Sequence, residues 1–573
     1  MRHILSSSEH WHWGLPVQSY PKLYTQDAIA AHFRTSLEGN INWRSSAIST
    51  ISDICKLVQP TRRQSSVGPS ASHITISMLK NVLELTRFPS EFQNFSLPSL
   101  VAGSILLMSS VEPTPFSYEY GYLCFRILVF SLNTCLIDYG YNLEFTIERM
   151  SSAPPGTHLN FFWVGTADLI AGELSPSILG FEKRLTHVLD PNRDQLPILE
   201  GPMLDILLNL LHKDQKNFLA ALMTADSLQV SGVLFILYKY LESERRVRGE
   251  SDYNQKLFCP YSQIFRRYRL VFPEIEHENQ VLVTISLSLP GMHKVQDNKI
   301  VDQEDLRNII CSYNRCLESP QTTSCKDVGH HMGFVTSLFA PGCDNLVPSM
   351  INSSFRALWN TWSKTDGDTA ANVAEAFGIY FWQIFNDHMK LSRSSSESWR
   401  SELVDAIMRS DILELIFQVA LKLSDSQRRN TEQITRDRIK KLFDSMIIFW
   451  EKAVAYTPEE YFEQKLIESG SIDSWFRYLT DFTERLYTRA PSGLDSILLP
   501  FSMLFSRAMT AVLGMKWRNM EFGFQVKGTC DYPRCPYPTN ASTGCSRCVN
   551  ATYCGPRCSA KDWSRHKLFC VRE

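Results

Sequence analysis

Eight cysteine and histidine residues are concentrated in the segment 530–570 of this 573-residue chain. Their spacing is C-x4-C-x9-C-x2-C-x5-C-x3-C-x7-H-x3-C, and they are Cys530, Cys535, Cys545, Cys548, Cys554, Cys558, His566 and Cys570. A segment this short buries too little apolar surface to fold alone and usually needs metal ions or disulfides. The cluster therefore constrains the C-terminal fold more than any other feature of the sequence.

The cluster has the composition of two structural zinc sites. Two tetrahedral ions need eight ligands, and thiolate and imidazole are ligands that Zn²⁺ prefers. A C-x2-C pair suits a tight knuckle. The spacing of four in Cys554/Cys558 and in His566/Cys570 predicts that each pair lies on one face of a short helix. Because protein fills all eight positions, no coordination site remains for a catalytic water.

Disulfides or unconnected buried cysteines are the alternative interpretation of the cluster. The N-terminal residues 1–15 lack the charged start, apolar run and cleavage site of a secretory signal, so we expect an intracellular protein. In that reducing environment, clustered cysteines more often bind metal. The most apolar stretch, 121–140, is interrupted by Arg126, Asn133 and Asp138, which favours a buried helix over a membrane span.

The order of the ligands, together with Tyr553, Asp562 and Trp563, resembles the MYND zinc finger over about 41 of 573 residues. Members of that family bind two zinc ions in a cross-braced manner. The resemblance implies one ion held by Cys530, Cys535, Cys554 and Cys558, and a second held by Cys545, Cys548, His566 and Cys570. The first pair is spaced C-x4-C here, where the family usually has C-x2-C.

MYND fingers generally bind other proteins, and some bind proline-containing peptides such as P-x-L-x-P. Those members use a serine after the third cysteine, a glutamine after the sixth and the tryptophan of a D-W pair. Ser546 and Trp563 match, whereas Ser559 replaces the glutamine. The resemblance implies a protein or proline-containing peptide as partner, contacted by Ser546 and Trp563. Packing of Trp563 against Tyr553 or the helical body is the structural alternative.

The residues before about position 522 are predicted to be mainly helical. Apolar side chains in 432–453 recur at the spacing of one helix face, at Ile439, Leu442, Phe443, Met446, Ile447 and Trp450. Similar patterns predict antiparallel helices at 201–245, 401–423, 471–487 and 493–515. Stacking into an armadillo-like α-solenoid is the economical architecture, although without a clean repeat period a globular bundle remains open. The predicted domains are a helical body at 1–522 and the finger at 523–573.

Three local features of the body are predicted separately. Residues 281–289 alternate between apolar and mostly polar, which fits either a strand or a buried helix. Thr457 and Pro458 are expected to cap and begin a helix. A loop is predicted at 318–333. A second group of cysteines and histidines extends across this loop with irregular spacing, and we do not assign it to metal: Cys311, Cys316, Cys325, His330, His331 and Cys343.

Charge and motifs narrow the function classes. The whole chain has a formal charge of −2, and residues 521–573 reach only about +1 once seven thiolates and two Zn²⁺ are counted, which disfavours nucleic acid binding. Common nucleotide, hydrolase and metalloprotease motifs are absent, and a SET-type methyltransferase is disfavoured because its cofactor motif is missing. We expect a non-enzymatic, zinc-binding adaptor in the cytoplasm or nucleus, without membrane association. A transcription-associated protein that recruits a corepressor is the alternative.

Overall fold

The structure is a computed structural model of the chain. It describes residues 9–25, 42–58, 73–289, 301–388, 398–469 and 530–570. Within these ranges the gaps are 155, 176–184, 186–187, 190–196, 225–227, 272–275, 319–324, 341, 413, 416–417, 420–440, 442–443, 446–447, 450, 533, 536–540, 542, 549–550 and 568–569. The chain divides into two compact units, residues 1–301 and 302–573, and the finger belongs to the second.

The described part of the first unit is helical. Its α-helices are α1 (Trp43–Lys56), α2 (Ile76–Glu84), α3 (Pro98–Ser109), α4 (Glu119–Tyr139), α5 (Leu143–Ser151), α6 (His158–Leu174), α7 (Gly201–Lys213), α8 (Gln215–Thr224), α9 (Ser231–Glu244), α10 (Glu250–Tyr253), α11 (Cys259–Val271) and α12 (Glu276–Ser288). Contacting helices bury their apolar side chains against one another.

Helix α4 lies at the centre of the first unit. It is mostly apolar, is buried on nearly all sides, and packs against α2, α3, α5, α6 and α9. By length and composition it is the one described helix that could cross a membrane, but 94% of that window is buried inside the protein. A helix that is apolar all round needs neighbours on every side, and here other helices of the unit supply them.

The second unit contains further helices and the C-terminal finger. Its described elements are α13 (Gln303–Glu318), α14 (Cys325–Leu338), α15 (Val347–Thr361), α16 (Gly367–Gln383), α17 (Ser398–Arg409), α18 (Glu459–Glu468), β1 (Thr543–Gly544), β2 (Thr552–Tyr553) and α19 (Pro556–His566). An aromatic cluster of Phe355, Phe377, Phe381 and Phe449 joins α15, α16 and residues 448–449, with ring centroids 5.4–6.5 Å apart.

The mainly α fold with a C-terminal finger is confirmed. The solenoid is not confirmed: in a solenoid each repeat contacts its neighbours in sequence, whereas α4 also contacts α9, about 100 residues later. The helices predicted at 201–245 are present as α7, α8 and α9. The helices predicted at 471–487 and 493–515, and the boundary near 522, lie outside the described residues.

Three local predictions need correction. Residues 281–288 fall in helix α12, so the strand alternative is wrong. The loop predicted at 318–333 is wrong from Cys325 onward, where α14 begins. Thr457 does not cap α18, which has Pro458 at its N-cap, because the Thr457 hydroxyl donates to the Val454 carbonyl 2.9 Å away.

Candidate metal centre

Two short strands and one helix position the ligands of the finger. Strands β1 and β2 pair antiparallel, with Thr543 opposite Tyr553 and Gly544 opposite Thr552. The pairing continues where the Cys545 N–H donates to the Ala551 carbonyl at 2.8 Å. The knuckle that contains Cys545 and Cys548 therefore connects the two strands of a hairpin.

Helix α19 carries one ligand of each cluster. Its buried residues are Cys558, Asp562 and His566, which are four residues apart and share one face. Cys558 and His566 are thereby separated by about 12 Å along the helix axis. The prediction that each C-terminal pair lies on one helix is wrong, because Cys554 precedes α19 and Cys570 follows it. Each pair instead spans one end of α19.

Site one comprises Cys530, Cys535, Cys554 and Cys558, which are all buried and whose sulfur atoms lie within 4.8 Å of one another. The Cys554 Sγ is 3.0 Å from that of Cys535 and 3.6 Å from that of Cys558. Thiolates about 2.3 Å from one tetrahedral Zn²⁺ lie about 3.8 Å apart. The four sulfurs therefore fit around one zinc ion with small adjustments, and the positive end of the α19 dipole favours their negative charge.

Site two comprises Cys545, Cys548, His566 and Cys570, whose ligand atoms also lie within 4.8 Å of one another. The Cys548 Sγ is 3.3 Å from the His566 Nε2, and the Cys545 and Cys570 sulfurs are 3.9 Å apart. These separations fit a three-sulfur, one-nitrogen zinc site. Cys545 and Cys570 are partly exposed, so site two lies nearer the surface than site one.

The thiol pKa values favour a cation in both clusters. At site two, the Arg547 backbone N–H lowers the pKa of Cys545 to about 6, which favours the thiolate at neutral pH. At site one, hydrogen bonding from Cys535 lowers the pKa of Cys530, whereas hydrogen bonding with Cys530 raises the pKa of Cys558. Four adjacent sulfurs cannot all lose their protons without a positive charge among them, and a zinc ion supplies that charge.

A buried polar network joins the hairpin to α19. The Tyr553 hydroxyl donates to the Asp562 Oδ2 at 3.0 Å, and both side chains are buried. Arg565 donates to both carboxylate oxygens of Asp562 and, at 2.7 Å, to the Asp531 carbonyl. Tyr553 and Asp562, which the family resemblance singled out, thus hold the elements that carry the ligands in register.

The finger is docked on the turn that follows α17. The chain bends at Ser410 and Asp411, where Asp411 has φ = 50°, a left-handed conformation that aspartate tolerates better than most residues. The Asp411 carboxylate accepts hydrogen bonds from the Tyr532 hydroxyl at 2.6 Å and from Arg557, and it pairs with the Lys561 ammonium. Asp411 is 2% exposed, so three finger side chains converge on one buried carboxylate.

Further contacts extend this docking interface. Arg557 also pairs with buried Glu414, and Lys561 donates to the Met408 carbonyl at 3.1 Å. At the edge of site one, the Gln418 side chain donates to the Cys535 carbonyl at 3.2 Å. Nothing in the sequence alone pairs 408–418 with the finger; the only local signal is the polar Ser410–Asp411 step, which is typical of turns. Sequence analysis therefore missed Asp411, Glu414, Arg557 and Lys561.

The two predicted peptide contacts lie away from that interface. Ser546 is exposed in the site-two knuckle, and Trp563 is half-buried on α19. Trp563 contacts the His566 ring at a centroid distance of 6.1 Å, and the Arg547 guanidinium carbon lies 4.6 Å from the centroid of the Trp563 ring. Among the described residues, the ring contacts of Trp563 are with His566 and Arg547, and none is with Tyr553. Ser559, in place of the family glutamine, is partly exposed.

Residues 530–570 match the family model of the MYND finger. A comparison with curated proteins gives no match for this chain. The MYND finger is a zinc-binding domain generally used for protein interaction. The C-terminal segment is therefore a finger of this kind, and its two clusters, which are the two sets that the resemblance implies, fit two zinc ions.

Proposed function

We propose that this protein is a non-enzymatic intracellular adaptor whose two-zinc finger captures a partner protein through the surface around Trp563. One observation carries the proposal. Arg557 and Lys561 of α19 pair with Glu414 and Asp411, whereas Trp563 lies on another side of the same helix, close to exposed Arg547. The finger is thus fixed at one side and accessible at another.

The chemistry of the two clusters supports a binding role. Each has four protein ligands, so a tetrahedral ion has no position left for water or substrate. A half-buried tryptophan on a rigid helix provides contact area at a small cost in conformational entropy. Such a surface suits a preformed extended segment, including a proline-containing peptide, which itself loses little entropy on binding.

The proposal predicts that Trp563→Ala removes partner capture while the finger stays folded. Full-length wild-type and variant proteins would be affinity-purified from the same cells, and the recovered proteins compared by quantitative mass spectrometry. We expect the specific partners to fall at least tenfold in the variant, because truncation of a central aromatic contact typically costs about 2 kcal/mol or more.

Trp11→Ala is the matched control, since Trp11 is 88% exposed and lies in the first unit. It should leave the recovered proteins unchanged, and both variants should keep the zinc content of the wild type. If Trp563→Ala recovers the same proteins in the same amounts as the wild type, this surface is not the capture site.

A further inference from the structure

The Trp563 surface differs from a bare aromatic face because a cation covers it. The Arg547 guanidinium carbon lies 4.6 Å from the centroid of the Trp563 ring, a distance at which the ring quadrupole attracts a cation. Arg547 is exposed and directly follows Ser546. We call Ser546, Arg547 and Trp563 together the Arg547–Trp563 surface. A proline ring that approached this side of the indole would meet the guanidinium first.

The scaffold of site two holds both halves of this surface. The Arg547 N–H donates to the Cys545 Sγ at 3.5 Å, which fixes the knuckle at the start of the arginine side chain. Trp563 precedes His566 by three residues and contacts its ring. The arginine and the tryptophan are therefore positioned before any partner arrives, so little side-chain entropy is lost on binding.

Three other cations of the finger form ion pairs, whereas Arg547 forms none with the described residues. Arg557 and Lys561 pair with Asp411, and Arg565 pairs with Asp562. Among the residues that the structure describes, no carboxylate lies within ion-pair distance of Arg547. A guanidinium stacked on an aromatic ring keeps its N–H edges available, and their planar geometry matches a carboxylate.

We propose that the Arg547–Trp563 surface selects a partner segment in which an acidic side chain lies next to a proline. The carboxylate pairs with the guanidinium edge of Arg547, and the neighbouring proline packs at the rim of Trp563. This inference rests on the proposed function and specifies the chemistry of the partner. Charge selection of this kind could replace the specificity that the family glutamine supplies, since Ser559 occupies that position here.

Three labelled peptides of equal length test the inference against the full-length, zinc-loaded protein. Their cores are proline-X-leucine-X-proline, with X as glutamate, glutamine or lysine, and binding is measured by fluorescence anisotropy at two ionic strengths. We expect the glutamate peptide to bind at least tenfold more tightly than the glutamine peptide, and the lysine peptide to bind most weakly. The preference should shrink at the higher ionic strength.

Charge reversal at one residue makes the test specific. Arg547→Glu should invert the order, so that the lysine peptide binds most tightly, because the substitution replaces the cation over Trp563 by an anion. Lys567→Glu is the matched control: Lys567 is also exposed in the finger, and the substitution changes the net charge equally. The control should keep the wild-type order, and both variants should keep the wild-type zinc content.

Two results would overturn the inference. If glutamate and glutamine peptides bind equally and Trp563→Ala abolishes both, then acidic selection is wrong although peptide capture by the finger stands. If no peptide binds up to millimolar concentration, the proposed ligand chemistry is wrong. The comparison of proteins that copurify with the wild type and with Trp563→Ala then decides separately whether the finger captures proteins.

Discussion

Removal of zinc from the full-length protein by a chelator, under reducing conditions, is expected to unfold residues 530–570. The described part of this segment contains two strands of two residues each and one helix, and many of its buried side chains are the ligands themselves. Structural zinc contributes about 10 kcal/mol or more per site, which is comparable to the stability of a whole domain. The polar network and docking contacts of the described finger residues are each worth only a few kcal/mol, which is less than that contribution.

Hydrogen exchange measures this outcome directly. Peptides that cover α19 should be protected with zinc bound and should exchange at nearly the unfolded rate after chelation, and added zinc should restore their protection. Peptides from α4 provide the internal control, because that helix is buried in the first unit and has no part in the metal sites. Protection of α19 that persists after all zinc is removed would show that the segment folds without metal.

The second large effect is expected from Asp411→Asn, which should release the finger from its docking turn without emptying the zinc sites. Asparagine keeps the size of aspartate and also tolerates the left-handed backbone at this position. It loses the negative charge toward which Arg557 and Lys561 are directed. Leaving a buried ion pair with one partner costs about 3 kcal/mol, so the undocked population should rise by about two orders of magnitude.

Lysine labelling provides a residue-specific measurement of docking. Lys561 is held against Asp411 and the Met408 carbonyl, so an amine-reactive reagent should modify it slowly in the wild type and up to about 100-fold faster in Asp411→Asn. Exposed Lys567 should react equally fast in both proteins. The matched substitution Glu468→Gln removes the carboxylate from an exposed ion pair with Lys465. In this control the reagent should modify Lys561 as slowly as in the wild type. Unchanged labelling of Lys561 in Asp411→Asn would contradict the docking described here.

The eight metal-site residues could be anticipated from the sequence because their spacing is a local feature of 41 residues, and the family resemblance implied their division into two sets. The start of the helix that carries Cys558 and His566 was predicted less well. Pro556 is the first residue of α19, and a proline at that position begins a helix, so Cys554 could not share the helix with Cys558. The Gly555–Pro556 step was the available signal for this boundary.

Helix α12 illustrates why a short apolar pattern can mislead. The alternation in 281–289 would place Val281, Ile285 and Leu287 on the same face of a strand. In the structure, Val281, Leu282 and Ile285 of the helix and Leu289 just after it are buried, whereas Leu287 is 80% exposed. Nine residues are too few to separate the two periods, and packing against α6 and α9 decides between them.

The docking interface could not be predicted from the sequence because its partners are far apart in the chain. Asp411 and Lys561 are separated by 150 residues, and neither stands out locally from other surface charges. Only the folded second unit brings them together in a buried position. The position of Arg547 over Trp563 is similarly a consequence of folding, since the two residues belong to different elements of the finger.

Native mass spectrometry of the full-length protein, purified under reducing conditions without added metal, tests the central claim most directly. The account predicts a mass increase of two zinc ions per chain, which is lost on chelation and regained on titration with zinc. A protein that carries no zinc, and whose finger cysteines are instead joined as disulfides or remain free in a folded segment, would contradict it.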